Sequence, residues 1–111
     1  MRFLMFVCVD TEPVDASSSS GMDIDEWVET MDGRGARLVG DVLEPASAAR
    51  AVRVRNNETL VTDGPFVESK EIIAGFDVLE CADLDEAVKI AAAHPMARGG
   101  VIEIRPFAVF D

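Results

Sequence analysis

The sequence contains no apolar run of the about 18 or more residues that a membrane helix needs, so no membrane span is expected. Its opening, MRFLMFVCVD, carries one Arg and a short apolar stretch that Asp10, Glu12 and Pro13 interrupt. That reads as a first strand rather than a secretion signal, and the expected location is the cytoplasm. Histidine occurs once, at His94, and cysteine twice, at Cys8 and Cys81, with no CxxC or Cys/His cluster. No metal-ligand set can be drawn from three scattered residues. In a reducing compartment the two thiols stay free and pack as small hydrophobes. The four serines at 17–20 have neither the glycines nor the Lys of a phosphate loop, and no cofactor motif is present, so no cofactor is expected. Basic residues are few: 10 Lys and Arg stand against 21 Asp and Glu, for a net charge of -11. Such a field repels a phosphate backbone and argues against nucleic acid as a partner.

What is present is enough for one folded domain over residues 1–111, with 49% hydrophobic residues. Residues 3–9, FLMFVCV, are apolar at every position, which predicts a strand buried on both faces. The segment TEPVDASSSSG at 11–21 reads as a polar loop. Ile24, Trp27, Val28 and Met31 then form a helical stripe behind an Asp23/Glu26 capping box, with Gly33 and Gly35 as its stop. RLVGDVL at 37–43 is a strand ended by Pro45. AVRVR (51–55) and ETLVT (58–62) predict a hairpin about Asn56-Asn57, with Val52 opposite Val61 and Arg55 opposite Glu58. IIAGFDVLEC at 72–81 is a further strand, in which Gly75 marks a bulge or a close approach. An Asp83/Glu86 box opens a second helix, which Pro95 ends, and VIEIRPF (101–107) is the last strand.

Without the central hairpin the order is β-α-β-β-α-β. That is the ferredoxin-like pattern, an antiparallel sheet with both helices on one face. The other face would be left with the first strand's second apolar side and with alternating apolar residues at 76–81. A patch of that size calls for a cover, and the simplest is the same face of a second copy. The expected assembly is a homodimer, a dimeric α+β barrel.

Two places carry chemistry. In TDGPFVESKE (62–71) an Asp at a turn start would ordinarily accept the amide two residues on, but that residue is Pro65. Asp63 is therefore left to another amide, a side chain, water or a ligand. Gly64 frees the backbone, Phe66 offers an apolar wall, and Glu68, Lys70 and Glu71 follow as charged partners. Exposed pairing on the surface is the plainer reading of that charge run. The lone His94 ends the second helix. Protonated, it would suit the negative end of the helix dipole; as a titrating group it could serve as acid or base beside Asp63.

The residues TDGPF, Glu68, Lys70-Glu71 and Gly75, the VRVR-turn-TLVTDGPF hairpin, GDVLEP (40–45), ADLDEAVKIAA and HPMARGGVIEIRP (94–106) resemble the YCII-related family, in its DGPF branch. The resemblance implies a ferredoxin-like fold that dimerises as an α+β barrel. Suspected enzymes elsewhere in the family carry a His-Asp pair whose His lies on the first helix, and MDIDEWVETM has none. That departure weakens transfer of the pair to this chain, and His94 is not its obvious substitute. The residues themselves point to a small-molecule site with Asp63 and His94 as catalytic candidates and Phe66, Glu68, Lys70 and Glu71 as substrate contacts. The alternative, which the resemblance implies by association, is an accessory or regulatory role beside an extracytoplasmic-function sigma factor.

Overall fold

β1 (Arg2–Asp10) is the axis of the molecule, paired on one side with β5 (Glu71–Glu80) and on the other with β6 (Val101–Pro106). β2 (Arg37–Val42) lies beyond β5, so the sheet order is β2-β5-β1-β6, antiparallel at every step. β3 (Arg50–Arg55) and β4 (Glu58–Asp63) form a separate two-stranded ribbon, reached through a 3-10 turn at Ala46–Ala48. Helices α1 (Ile24–Gly33), α2 (Leu84–Ala92) and α3 (Met96–Gly99) complete a mixed α+β fold. The computed structural model describes residues 1–10, 22–64 and 71–109, so the expected loop at 11–21 lies outside the described residues. Among the described residues no helix is long and apolar enough to cross a membrane.

Directly opposed residues of neighbouring strands share a face. One face therefore carries Phe3 with Leu79, Met5 with Asp77 and Ile104, and Val7 with Gly75 and Ile102. Phe3, Met5, Val7 and Leu79 are buried there with Trp27 and Met31 of α1 and Ala87, Ile90 and Ala91 of α2. The other face carries Leu4 with Val78, and Phe6 with Phe76, all half-buried, and an exposed Val39. The apolar run of β1 is thus split between a helix-covered side and an uncovered one.

The helix starts follow from their caps. Asp23 Oδ1 accepts the Glu26 amide at 2.8 Å, and Asp83 Oδ1 accepts the Glu86 amide at 2.9 Å. Glu86 also reaches back, accepting the amide of Ala82, one residue before the cap, at 2.9 Å. Each cap contributes about 1 kcal/mol. The α1 stripe seats through Trp27 and Met31, with Val28 half-buried. Ile24, expected on that stripe, is the first helical residue and stays exposed. Trp27 Nε1 donates to the Ile90 carbonyl at 2.9 Å and ties α1 to α2.

Two local expectations shift. The second helix ends at Ala92, and Pro95, at φ -59 and ψ -30, leads into the short helix α3. A proline's fixed φ and missing N–H suit the start of a helix as well as they terminate one. Cys81, expected inside the strand, lies one residue past β5, though it and Cys8 are buried and in no disulfide, as expected. At Gly75 both anticipated features occur. The β1–β5 register slips between Val7 and Cys8, and a Cβ on Gly75 would lie 3.0 Å from the Asp41 carbonyl oxygen.

One ionic group sits on the covered face. Arg37 Nε donates to Asp77 Oδ1 at 2.7 Å, its Nη1 to Asp32 Oδ1 at 3.0 Å, and its Nη2 to the Gly40 carbonyl at 3.0 Å. Burial pushes the Asp77 carboxyl up by more than the hydrogen bond and charge of Arg37 pull it down. Burial also pulls on Arg37, but its bonds to Asp77 and Asp32 outweigh it and raise the guanidinium above its ordinary value. An arginine stays charged in any case. Gly40 makes room for it, because a Cβ there would overlap Asp77 Oδ1 and lie 2.8 Å from its Cγ. Gly40→Ala is expected to destabilise the fold by about 1–3 kcal/mol through overpacking. Asp77→Ala, which strands Arg37, should cost about 3 kcal/mol or more. Urea unfolding of the two variants checks both.

Candidate functional site

The ribbon is built around its turn. Asn56 and Asn57 have φ of 50° and 64°, the left-handed pair that a two-residue hairpin needs and that asparagine tolerates. The register follows the expected one, Val52 opposite Val61, Val54 opposite Thr59 and Arg55 opposite Glu58. At the far end Arg50 faces Asp63, with Arg50 Nε 3.2 Å from Asp63 Oδ1. Gly64 closes the base: its amide donates to the Ala49 carbonyl at 2.8 Å. Its φ of +87 is the reason for glycine there, since a Cβ would meet nothing within 4 Å. The Asp63 side chain is 90% exposed, so the turn fixes its backbone and leaves its carboxylate open to solvent. Phe66, Glu68 and Lys70 lie outside the described residues. Of Glu71 only the backbone is described, opposite Asp10 in the β1–β5 ladder.

His94 is placed quite differently. It is 2% exposed, past the end of α2, with its amide donating to the Ala91 carbonyl at 3.0 Å. Its Nδ1 accepts the Met96 amide at 3.0 Å, which assigns the proton to Nε2. The ring meets Trp27 edge-on, with centroids 4.7 Å apart and planes at 67°. Burial pushes its pKa down to about 4, so the imidazole is neutral at pH 7. This replaces the expected protonated cap at a helix end: the ring is inside the core, where its charged form is disfavoured. Because the Met96 amide occupies the acceptor nitrogen, Nδ1 is not available as a base in this state.

Asp63 and His94 thus have separate partners, Arg50 for one and Met96 and Trp27 for the other. The topology nonetheless directs both to one end of the sheet. β5 begins at the Asp10–Glu71 pair, two residues beyond Cys8, and the Ala46–Ala48 turn at the ribbon base contacts β5. The α3 corner that follows His94 abuts that same Cys8, because a Cβ on Gly100 would strike its carbonyl oxygen. Nearby, α2, α3 and β6 frame an open apolar groove of about 370 Å³ lined by Val88, Ala92, Ala97, Gly100 and Ile102. Among the described residues no group of three or more His, Cys, Asp or Glu could hold a metal ion. Sequence reasoning passed over Arg37, Asp77 and Gly40. The signal was an aspartate in the otherwise apolar run IIAGFDVL, which needed a buried cation to make sense.

His94 is the chain's one histidine, so its linkage can be isolated. Its folded pKa of about 4 lies below the unfolded value of 6.5. The unfolded chain therefore binds the extra proton between those limits. Stability is full above the upper limit and is lost as pH falls towards the lower, by up to roughly 3 kcal/mol. Urea unfolding across that range should show the slope in the wild type and a shallower one in His94→Gln.

An uncharacterized protein of Rhizobium meliloti (strain 1021) is 43% identical to this chain over 82 residues, which take in 70% of this chain and 60% of that protein. The chain therefore matches less than two thirds of its relative's length. The YCII-related domain matches residues 1–111, and on that match the chain belongs to the YCII-related family.

Proposed function

We propose that this YCII-related protein binds a small molecule at the DGPF end of the sheet, as a homodimer. The single observation that carries the reading is Asp63. Its backbone is locked by the hairpin register and the Gly64 bond, while its carboxylate stands 90% exposed beside an exposed Arg50. A charged acceptor held rigidly at the end of a sheet is suited to recognition, because its orientation is set before a ligand arrives. With a net charge of -11 behind it, the ligand is neutral or cationic and carries hydrogen-bond donors. Asp63 acts as acceptor or base, Phe66 as apolar wall, and Glu68, Lys70 and Glu71 orient the ligand. His94, neutral and internal, braces the neighbouring corner.

The same proposal includes the assembly. The order β2-β5-β1-β6 with both longer helices on one face supports a ferredoxin-like core into which β3–β4 is inserted. The half-buried Leu4, Phe6, Phe76 and Val78 and the exposed Val39 support closure of two such sheets into a dimeric α+β barrel. A non-catalytic accessory role in a sigma-factor system is the competing reading, and the Arg50–Asp63 pair, a bond that could be purely structural, is the observation on its side.

Asp63→Asn separates the two. An exposed pair of this kind contributes less than about 1 kcal/mol, so the variant should melt within a degree or two of the wild type. A thermal-shift panel of small amines, guanidinium compounds and polyols should stabilise the wild type with at least one member and leave Asp63→Asn unmoved. A panel that shifts both equally, or neither, favours the accessory reading.

A further inference from the structure

β6 is the last strand of the order β2-β5-β1-β6, and among the described residues no strand lies beyond it. One bond sets its phase against β1. The Phe107 amide donates to the Arg2 carbonyl at 3.0 Å, next to the Phe3–Pro106 pair. In an antiparallel ladder the bonded pairs alternate, so Arg105, Glu103 and Val101 turn their main-chain groups to β1. Ile102 and Ile104 turn theirs outward. These same two residues line the open groove of about 370 Å³ between β6, α2 and α3, with Val88, Ala92, Ala97 and Gly100. The free edge and the groove are therefore one surface. Leu84 and Val88, one turn apart on α2 and each 51% exposed, carry the apolar strip further along the helix.

The lining says what fits. Every side chain along the groove is apolar or, at Gly100, absent. A site for a small polar molecule has a few convergent polar side chains, and this groove has none among its lining residues. Its hydrogen-bonding groups are main-chain ones, and along the edge they repeat at strand spacing, about 7 Å from Ile102 to Ile104. An extended polypeptide meets both demands. Its main chain pairs with the edge, and every second side chain enters the groove. Charge narrows the choice. Helices α2 and α3 and strand β6 carry Asp85, Glu86 and Glu103 against Lys89, Arg98 and Arg105, a local balance. The field at the groove is then that of the whole chain, at -11, which opposes a like-charged copy at this edge and draws a cationic segment. We propose that the β6 edge and its groove take up an extended peptide segment of a partner protein as an added strand. The segment is apolar at alternate positions and flanked by Lys or Arg. This surface stands apart from Asp63, and either can exist without the other.

The probe is a fluorescein-labelled synthetic peptide of alternating Val and Ser with a pair of Lys at each end, titrated with the full chain by anisotropy. Binding should saturate below millimolar protein, weaken with salt and fall away when the Lys ends are replaced by Glu. N-methylation of the peptide's alternate amides is the sharper test, because only one of the two sets faces β6. One set should abolish binding and the other should leave it. Val88→Gln should bind about 10-fold more weakly, through lost apolar contact. Hydrogen exchange on the wild type needs no variant: the Ile102 and Ile104 amides should slow with peptide, and that of Glu103 should not change. Absence of saturation, Glu ends that bind as well as Lys ends, or equal loss from both methylated sets overturns the strand site. So does Val88→Gln binding at wild-type strength, or Ile102 and Ile104 exchange indifferent to peptide. A peptide that binds only by dissociating a dimer in sedimentation equilibrium assigns the edge to a second copy and overturns it too.

Discussion

The bond from the Trp27 indole to the Ile90 carbonyl is the constraint on which the covered half of the structure rests. A fully buried tryptophan brings the largest apolar area of any side chain but also an N–H that must be satisfied. Here the donor reaches across to the last turn of α2, whose carbonyls are short of partners near the helix end. One bond thereby fixes the spacing of α1 and α2. With the spacing fixed, Phe3, Met5 and Leu79 have a roof, and His94 has a wall to stand against.

The sheet beneath that roof is not purely apolar. Arg37 and Asp77 occupy register positions where aliphatic side chains would be expected, and Gly40 gives up its side chain to admit them. The ion pair ties β2 to β5, and its second arm to Asp32 ties β2 to the end of α1. A network of this sort contributes little net stability once desolvation is counted, but it is costly to break. Its effect is to hold the edge strand β2 in register, and β2 is the strand that feeds the ribbon. The position of Asp63 therefore traces back, through the ribbon base, to a pair that lies on the opposite side of the sheet from solvent.

Much of the architecture was readable from the residues because local rules and tertiary context agreed. Both Asp caps, the Asn56-Asn57 turn with its cross-strand pairs, and the irregularity at Gly75 follow from single positions whose chemistry admits few alternatives. Less was readable where burial decides. The environment of His94 depends on Trp27, 67 positions earlier in the chain, and no pattern within a helix window carries that pairing. Asp77 needed Arg37 and Gly40 on another strand before its place in an apolar run could be understood. For the candidate site, the residues expected at Phe66, Glu68 and Lys70 fall outside the described segments, and the described part reduces to Asp63, Gly64 and the end of the sheet. The ribbon's register was readable from its turn and its cross-strand pairs.

The edge-on contact between Trp27 and His94 makes the protein its own indicator. The chain has one tryptophan, one histidine and no tyrosine, so near-ultraviolet emission comes from a single indole. An imidazolium at van der Waals range quenches such an emitter by accepting an excited electron, and a neutral imidazole does so weakly. Brightness in the native state thus tracks the protonation of one ring, with no dye and no second chromophore to subtract.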